Sequence, residues 1–417
     1  MLDVTKIFNS GLGTAVKTAE AYRDGKSVSA FGLCSFAKAA VTALSGEYVR
    51  AANIGGVTAV ITGDFYLART FADALEKLTD GVYLLPARDD ALSYRDALSG
   101  ENVTARLKTL AAIATGKAKF VVCPVEAAMQ PFPSREKFRA ACIKIEKGKE
   151  YDLGSIASLL AGAGYKRETQ ITDAGTFAVR GDILDVWSVG ETLPARVEFF
   201  GDEAESIRYF DDENQLSKEY AETYDITPAT EFFASEQEGN EITERLGEYA
   251  SSLKLAPDYA VKARDLIGTL TARVSAGDRG VALGYLLPLT ETIGFFEFSG
   301  ASGVIFDEVK QIADNANVHA EEHRNRFASL LSRGETLPFT EGGVIPYTVS
   351  LRFDGRRLAF QNVNNANRIF SPNAVFSFRT TETPAYHRDF RLLSSDLKNW
   401  ISRGYAIYLC APDDGLY

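Results

Sequence analysis

Three groups of residues have types and spacings that could do chemistry. The first is a turn, Gly32-Leu33-Cys34-Ser35-Phe36-Ala37-Lys38-Ala39, between an apolar run and a helical one. Laid on the phosphate-loop pattern GxxxxGK[ST], Gly32 and Lys38 match, but Ala37 stands for the second glycine and Ala39 for the hydroxyl residue. Such a loop needs glycines so that backbone N–H groups can wrap the phosphates, and a hydroxyl to hold magnesium. Both are missing, so the turn reads as the relic of a nucleotide site. Residues 303–308, GVIFDE, form an apolar strand ending in Asp307 and Glu308, the acidic pair such a site would use for magnesium. Acidic residues also favour a helix start, and without a working loop the pair has no nucleotide to serve. The second group is His319-Ala320-Glu321-Glu322-His323, which matches H-x-x-E-H. Two histidines at i and i+4 share a helix face and can bind one metal. Ile312, Ala316, His319, His323, Phe327 and Leu330 fall on one helical stripe, so packing is the expected role and no metal is assigned. The third group, Arg180, Arg196 and Phe200, has no reactive atom; its chemistry would be recognition.

These last three sit in the stretch from Asp173 to Asp212, where short β-rich runs are bounded by Gly, Asp and Pro. It reads as a four-strand antiparallel meander: Thr176 to Arg180, Ile183 to Ser188, Ala195 to Gly201 and Glu203 to Phe210. Period-two alternation puts Val197 and Phe199 on one face and Arg196, Glu198 and Phe200 on the other. In the first strand Phe177 and Val179 oppose Ala178 and Arg180. One face is apolar and must pack on a core. The other carries two arginines and an aromatic, the usual anchors of a protein interface; solvated arginines and a loop-covered Phe200 are the plainer alternative.

At these residues the string GTFAVRGDILDVWSVGETLPARVEFFGDEAESIRYFD resembles the second domain of bacterial transcription-repair coupling factor (Mfd), a module also found in the excision-nuclease B subunit (UvrB). The family pattern is G-x-F-a-x-R-G-x-I-x-D-x-[FW] followed by P-x-R-x-E-x-F-x-D-E-x-x-S-I-R-x-F-D. Departures are few: Trp187 where Phe is usual, and Ser188-Val189 where Phe-Pro often follows. The resemblance implies docking onto the A subunit of the nuclease (UvrA), with the docking residues falling on Arg180, Arg196 and Phe200. It also implies a helicase-like first domain that has lost its ATPase motifs, which agrees with the degenerate turn. ATP and magnesium would then belong only to a C-terminal DNA translocase, and RNA polymerase and DNA would be met through domains beyond this chain. The competing reading is an active helicase-like ATPase, or a UvrB-type damage-handling subunit. The turn at Gly32 to Ala39 speaks against it. So does the stretch from Val82 to Arg106, which has only Tyr83 and Tyr94 where UvrB has an aromatic-rich DNA-gripping hairpin.

Composition sets the outer bounds. At 417 residues, 24% charged and 46% hydrophobic, the chain is ordinary globular protein of two to four domains. A net charge of −11 argues against nucleic-acid binding by this chain alone, because phosphate contacts need a basic footprint. Cys34, Cys123, Cys142 and Cys410 have no CxxC spacing, which fits a reducing cytoplasm and neither a disulfide framework nor a zinc ribbon. No signal peptide or membrane span is legible, and a monomer is expected.

The supporting elements follow in order. Residues 1–133 alternate strand and helix, the pattern of a parallel sheet with helices on both faces. The expected strands are Ser27 to Leu33, Val57 to Ile61, Val82 to Leu85 and Phe120 to Cys123. Residues 134–223 form an α+β domain inserted into the first, with Asp152 capping a helix from Leu153 to Ala163. Residues 224–335 return to the α/β domain, 336–373 are expected to be a linker, and 374–417 to open a further α/β domain. The fold class is thus α/β, a helicase-like parallel-sheet domain with an inserted antiparallel meander.

Overall fold

The structure is a computed structural model and describes residues 13–89, 92–94, 100–362 and 370–407. Labels below cover the elements that matter for the site. After α1 (Gly13–Arg23) come β1 (Ser27–Phe31), α2 (Ser35–Ala51), β2 (Val57–Thr62), α3 (Phe65–Glu76), β3 (Val82–Leu84), α4 (Gly100–Ala114) and β4 (Phe120–Pro124). The alternation read from sequence is realised element by element. Strands β2 and β4 are buried along their whole length, as central strands covered on both faces must be. Their side chains split between two cores by parity. Ala59, Ile61, Val121 and Cys123 join one apolar cluster, and Val60, Phe120 and Val122 the other.

The chain leaves this sheet after β4. Next come β5 (Ile143–Glu146), α5 (Leu153–Gly162), β6 (Lys166–Arg167), β7 (Thr176–Arg180), β8 (Ile183–Trp187), β9 (Ala195–Phe200), β10 (Glu203–Phe210), β11 (Ser217–Ala221) and β12 (Thr223–Ile226). Strands β6 to β11 form one six-stranded sheet in sequence order, with β5 and β12 paired beside it. The sheet is therefore longer by one strand at each end than the sequence suggests, with β11 antiparallel to β10 and β6 parallel to β7. Asp152 caps α5 as expected, its side chain accepting from Ser155 N at 2.7 Å. Ile156 and Leu160 of α5 share a core with Phe177, Leu184, Val197, Phe199 and Ile207 of the sheet's inner face.

Two helices follow, α6 (Glu236–Ser252) and α7 (Pro257–Ser275), which with the 3-10 turns of Val281–Leu289 enclose a separate apolar cluster. Only then does the parallel sheet resume, with β13 (Ala301–Asp307), α8 (Val309–Ser332), β14 (Arg356–Gln361) and β15 (Ala374–Ser377); α9 (Phe390–Ser402) comes last. The sheet order is β15-β1-β14-β13-β2-β4-β3, all parallel. Two stretches therefore sit differently from expectation. β14, from the expected linker, lies inside the sheet between β1 and β13, because Leu358 and Phe360 enter one core and Ala359 the other. β15, expected to begin a further domain, pairs with β1 at the sheet edge. After α9, residues 405–407 have no regular structure, and those from 408 lie outside the described residues. Among the described residues no helix is long and apolar enough to cross a membrane.

A buried ion pair joins the segment between β12 and α6 to the parallel domain. Arg106 of α4 donates from Nε to Glu231 Oε1 at 2.6 Å and from Nη2 to Oε2 at 3.0 Å. Its Nη1 reaches Pro86 O at 2.9 Å, so the guanidinium has both a carboxylate fork and a carbonyl to satisfy it.

Candidate functional site

Cross-strand register decides which outer-face side chains are neighbours. Ala178, Asp185, Arg196 and Arg208 stand directly opposite one another across β7 to β10, and Arg180, Ile183, Glu198 and Ser206 form the next row. Residues opposite one another in a ladder share a face, so Arg180 and Arg196 emerge together. Phe200 follows Glu198 by two residues and joins them. It is 79% exposed. The sequence phase of all three residues is the one the structure has.

Their exposure is not equal. The Arg196 side chain is only 14% exposed, against 49% for Arg180. Asp185, itself 1% exposed, accepts from Arg196 Nε at 2.6 Å and Nη2 at 2.9 Å, and also from Arg180 Nη2. Arg196 further donates to Gln215 Oε1 at 3.1 Å, and its guanidinium carbon lies 4.5 Å from the Phe210 ring centroid. The hydrogen bonds to Asp185 outweigh burial and hold the guanidinium above its ordinary range. Arg196, read from sequence as an outer-face interface anchor, is thus mostly covered, with its Nε and Nη2 spent within the sheet. The signal was present, since Asp185 and Phe210 share the outer-face phase of their strands. Beside this set, Arg208 is paired to Glu198, and Tyr220, opposite Arg208 on β11, is 73% exposed.

The relic loop comes together with its acidic partner. Gly32 follows β1, Lys38 lies in the first turn of α2, Asp307 ends β13 and Glu308 follows it, and Lys38 Nζ reaches Asp307 Oδ1 at 2.7 Å and Glu308 Oε1 at 3.1 Å. Burial works against the Lys38 ammonium, but the two carboxylates outweigh it and its pKa is raised. Glu308 is held from the other side by Asn362, through Nδ2 at 2.8 Å and the backbone N–H at 3.1 Å. The lysine that would meet a nucleotide's phosphates is therefore engaged by the residues that would hold its magnesium.

His319 and His323 lie on α8 as the stripe predicts, with Ile312, Ala316, Phe327 and Leu330 buried beside them. Each Nε2 is buried and finds no hydrogen-bond partner among the described residues. Burial lowers both pKa values, and with His319 and Arg326 nearby His323 falls to about 4. Among the described residues no group of three or more His, Cys, Asp or Glu is placed to hold a metal. Part of the stretch compared with the UvrB hairpin, residues 90, 91 and 95–99, lies outside the described residues.

A family model described as the UvrB interaction domain matches residues 143–232, which span the whole meander. The transcription-repair-coupling factor of Bacillus subtilis (strain 168) is 28% identical over 292 residues, covering 67% of this chain and 24% of that protein. The chain is a homologue of the N-terminal region of transcription-repair-coupling factor. The coupling factor of Staphylococcus aureus (strain bovine RF122 / ET3-1) is 30% identical over 190 residues, 45% of this chain and 16% of that protein. The matches thus span about a quarter or less of the length of these coupling factors. The α/β fold with its inserted antiparallel meander is the architecture that the resemblance implied.

Proposed function

We propose that this chain is a non-catalytic recruitment module of a transcription-repair coupling factor, and that its outer meander face docks UvrA. The observation that carries the reading is Phe200. It stands 79% exposed on a face where Arg180 and Arg196 are held side by side by a common buried carboxylate, within the segment that matches the UvrB interaction domain. An aromatic in the open beside two ordered guanidinium groups suits a partner offering an apolar pocket rimmed by carboxylates. RNA polymerase, DNA and ATP-driven translocation would belong to parts of the coupling factor beyond this chain, working in the cytoplasm. Lys38, committed to Asp307 and Glu308, supports the non-catalytic part of the reading. The test is titration of purified UvrA with the chain and with Phe200→Ala. Loss of at least about tenfold in affinity is expected, since a hot-spot aromatic contributes about 2 kcal/mol or more. Unchanged affinity would remove Phe200 from the interface.

A further inference from the structure

The relic loop has a second occupant besides its own lysine and acids. Residues 378–382, which follow β15, cross directly over it. Phe378 N donates to Phe31 O at 2.8 Å and Thr380 N to Gly32 O at 3.2 Å. The Thr380 hydroxyl donates to Gly32 O at 3.0 Å and accepts from Cys34 N at 2.6 Å. Glu382 Oε1 accepts from Ser35 N at 2.7 Å.

Three physical points converge on this crossing. First, α2 starts without local help: Cys34 occupies the N-cap and makes no side-chain cap bond. A helix start leaves backbone N–H groups unsatisfied and favours negative charge. Glu382 supplies both the acceptor and the charge from the far end of the chain, and the Ser35 backbone N–H and hydroxyl in turn hold its carboxyl below the usual range. Second, Gly32 is required by the crossing itself. Its φ is +74°, and a Cβ there would lie 2.2 Å from Phe378 O, far inside contact distance. The glycine that looks like a remnant of phosphate binding thus has a present role in admitting the strap. Third, this N-terminus is where a phosphate would sit in a working loop of this kind, and the group found there is the chain's own carboxylate.

We propose that residues 378–382 are a plug in cis: Glu382 takes the anion position of the relic loop, Thr380 takes its next free amide, and the loop in return latches the strap. This rests on reading Gly32 to Ala39 as a former phosphate loop, and not on UvrA docking. The latch also sets where the chain goes next, because α9 has no buried residue of its own to anchor it.

The test is limited trypsin digestion of the whole chain, following cleavage after Arg379, an exposed residue inside the latched segment. Cleavage needs the strap to lift off β1 and the loop. Glu382→Ala should raise the rate at this bond at least about tenfold, Thr380→Val should raise it as well, and Glu382→Gln, which keeps an acceptor without the charge, should fall between Glu382→Ala and wild type. With all three made in a Trp400→Phe background, Trp187 fluorescence, which then reports the meander alone, should stay at its native value. Wild-type cleavage rates in both Glu382→Ala and Thr380→Val would overturn the plug, as would loss of the native Trp187 signal, since the strap would then be part of the global fold and not a local latch.

Discussion

Arg196 and Phe200 share a face two positions from Glu198, yet replacing them should have different signatures. Arg196→Ala removes two charge-assisted hydrogen bonds to a carboxylate that is 1% exposed, a third bond to Gln215 and the stack on Phe210. Each bond to a charged group contributes about 1.5–3 kcal/mol, and leaving a buried ion wholly unpaired costs about 3–5 kcal/mol. Arg180 stays on Asp185 Oδ2, so the cost should be the lower end, about 2–3 kcal/mol of meander stability. Phe200→Ala, at an exposed position, should change stability by no more than about 0.5 kcal/mol. The chain has two tryptophans, Trp187 on β8 and Trp400 on α9. In a Trp400→Phe background, urea unfolding followed by fluorescence therefore reports the meander alone. UvrA affinity measured on the same proteins, below the unfolding transition, completes the comparison: Phe200→Ala loses affinity only, while Arg196→Ala loses affinity and stability together. Arg196→Lys keeps the charge but not the fork and should lie between. Raising salt should weaken the wild-type complex by screening the exposed Arg180. If Arg196→Ala unfolds at the wild-type urea concentration, the Asp185 network does not hold this face and the reasoning fails.

Three other outcomes follow from the geometry. The purified chain should neither bind nor turn over ATP; turnover that disappears in Lys38→Ala would refute this. Glu231→Ala leaves Arg106 buried without its carboxylate and should cost about 3–5 kcal/mol, read as an earlier urea transition by circular dichroism; a change below about 1 kcal/mol would mean that water reaches the guanidinium. The two α8 histidines should make stability depend on pH. Unfolded, they bind protons near pH 6.5, whereas in the fold both pKa values are lowered, His323 to about 4. The unfolded state holds more protons in between, so their contribution is intact above about pH 6.5 and is lost as pH falls toward 4. Replacing both by Gln should flatten that slope in urea midpoints, and an unchanged slope would place its origin in the carboxylates.

Local patterns made much of this molecule readable from sequence. The β1 to β4 alternation, the Asp152 cap and the meander's two faces depend on side-chain periodicity and on turn residues, which act over a few positions. The place of β14 was not readable in this way. RRLAFQ is a short apolar run among loop-forming residues, and nothing within it says that its neighbours in the sheet will be β1 and β13. Strand order in a parallel sheet is decided by distant partners. At the candidate site the phase of Arg180, Arg196 and Phe200 was legible, and so was the outer-face phase of Asp185 and Phe210; what local pattern does not give is the cross-strand register that sets those two against Arg196 and covers it. The Glu382 latch was beyond reach for the same reason: Ser35 and Glu382 are 347 positions apart.

The β1–β14 pairing also has a consequence in time. Its partners are separated by 330 residues, Ser27 lying beside Arg357, and β15, on the other side of β1, is later still. A ribosome adding about 5–20 residues per second emits the second partner roughly 15–65 seconds after the first. Through that interval both edges of β1 wait for strands that do not yet exist, while each meander strand finds its neighbour within a few residues. The proposed docking face can thus be complete on the nascent chain well before the sheet that carries it has closed. The open edges of β1 are the place where a growing chain is most exposed to pairing with the wrong partner.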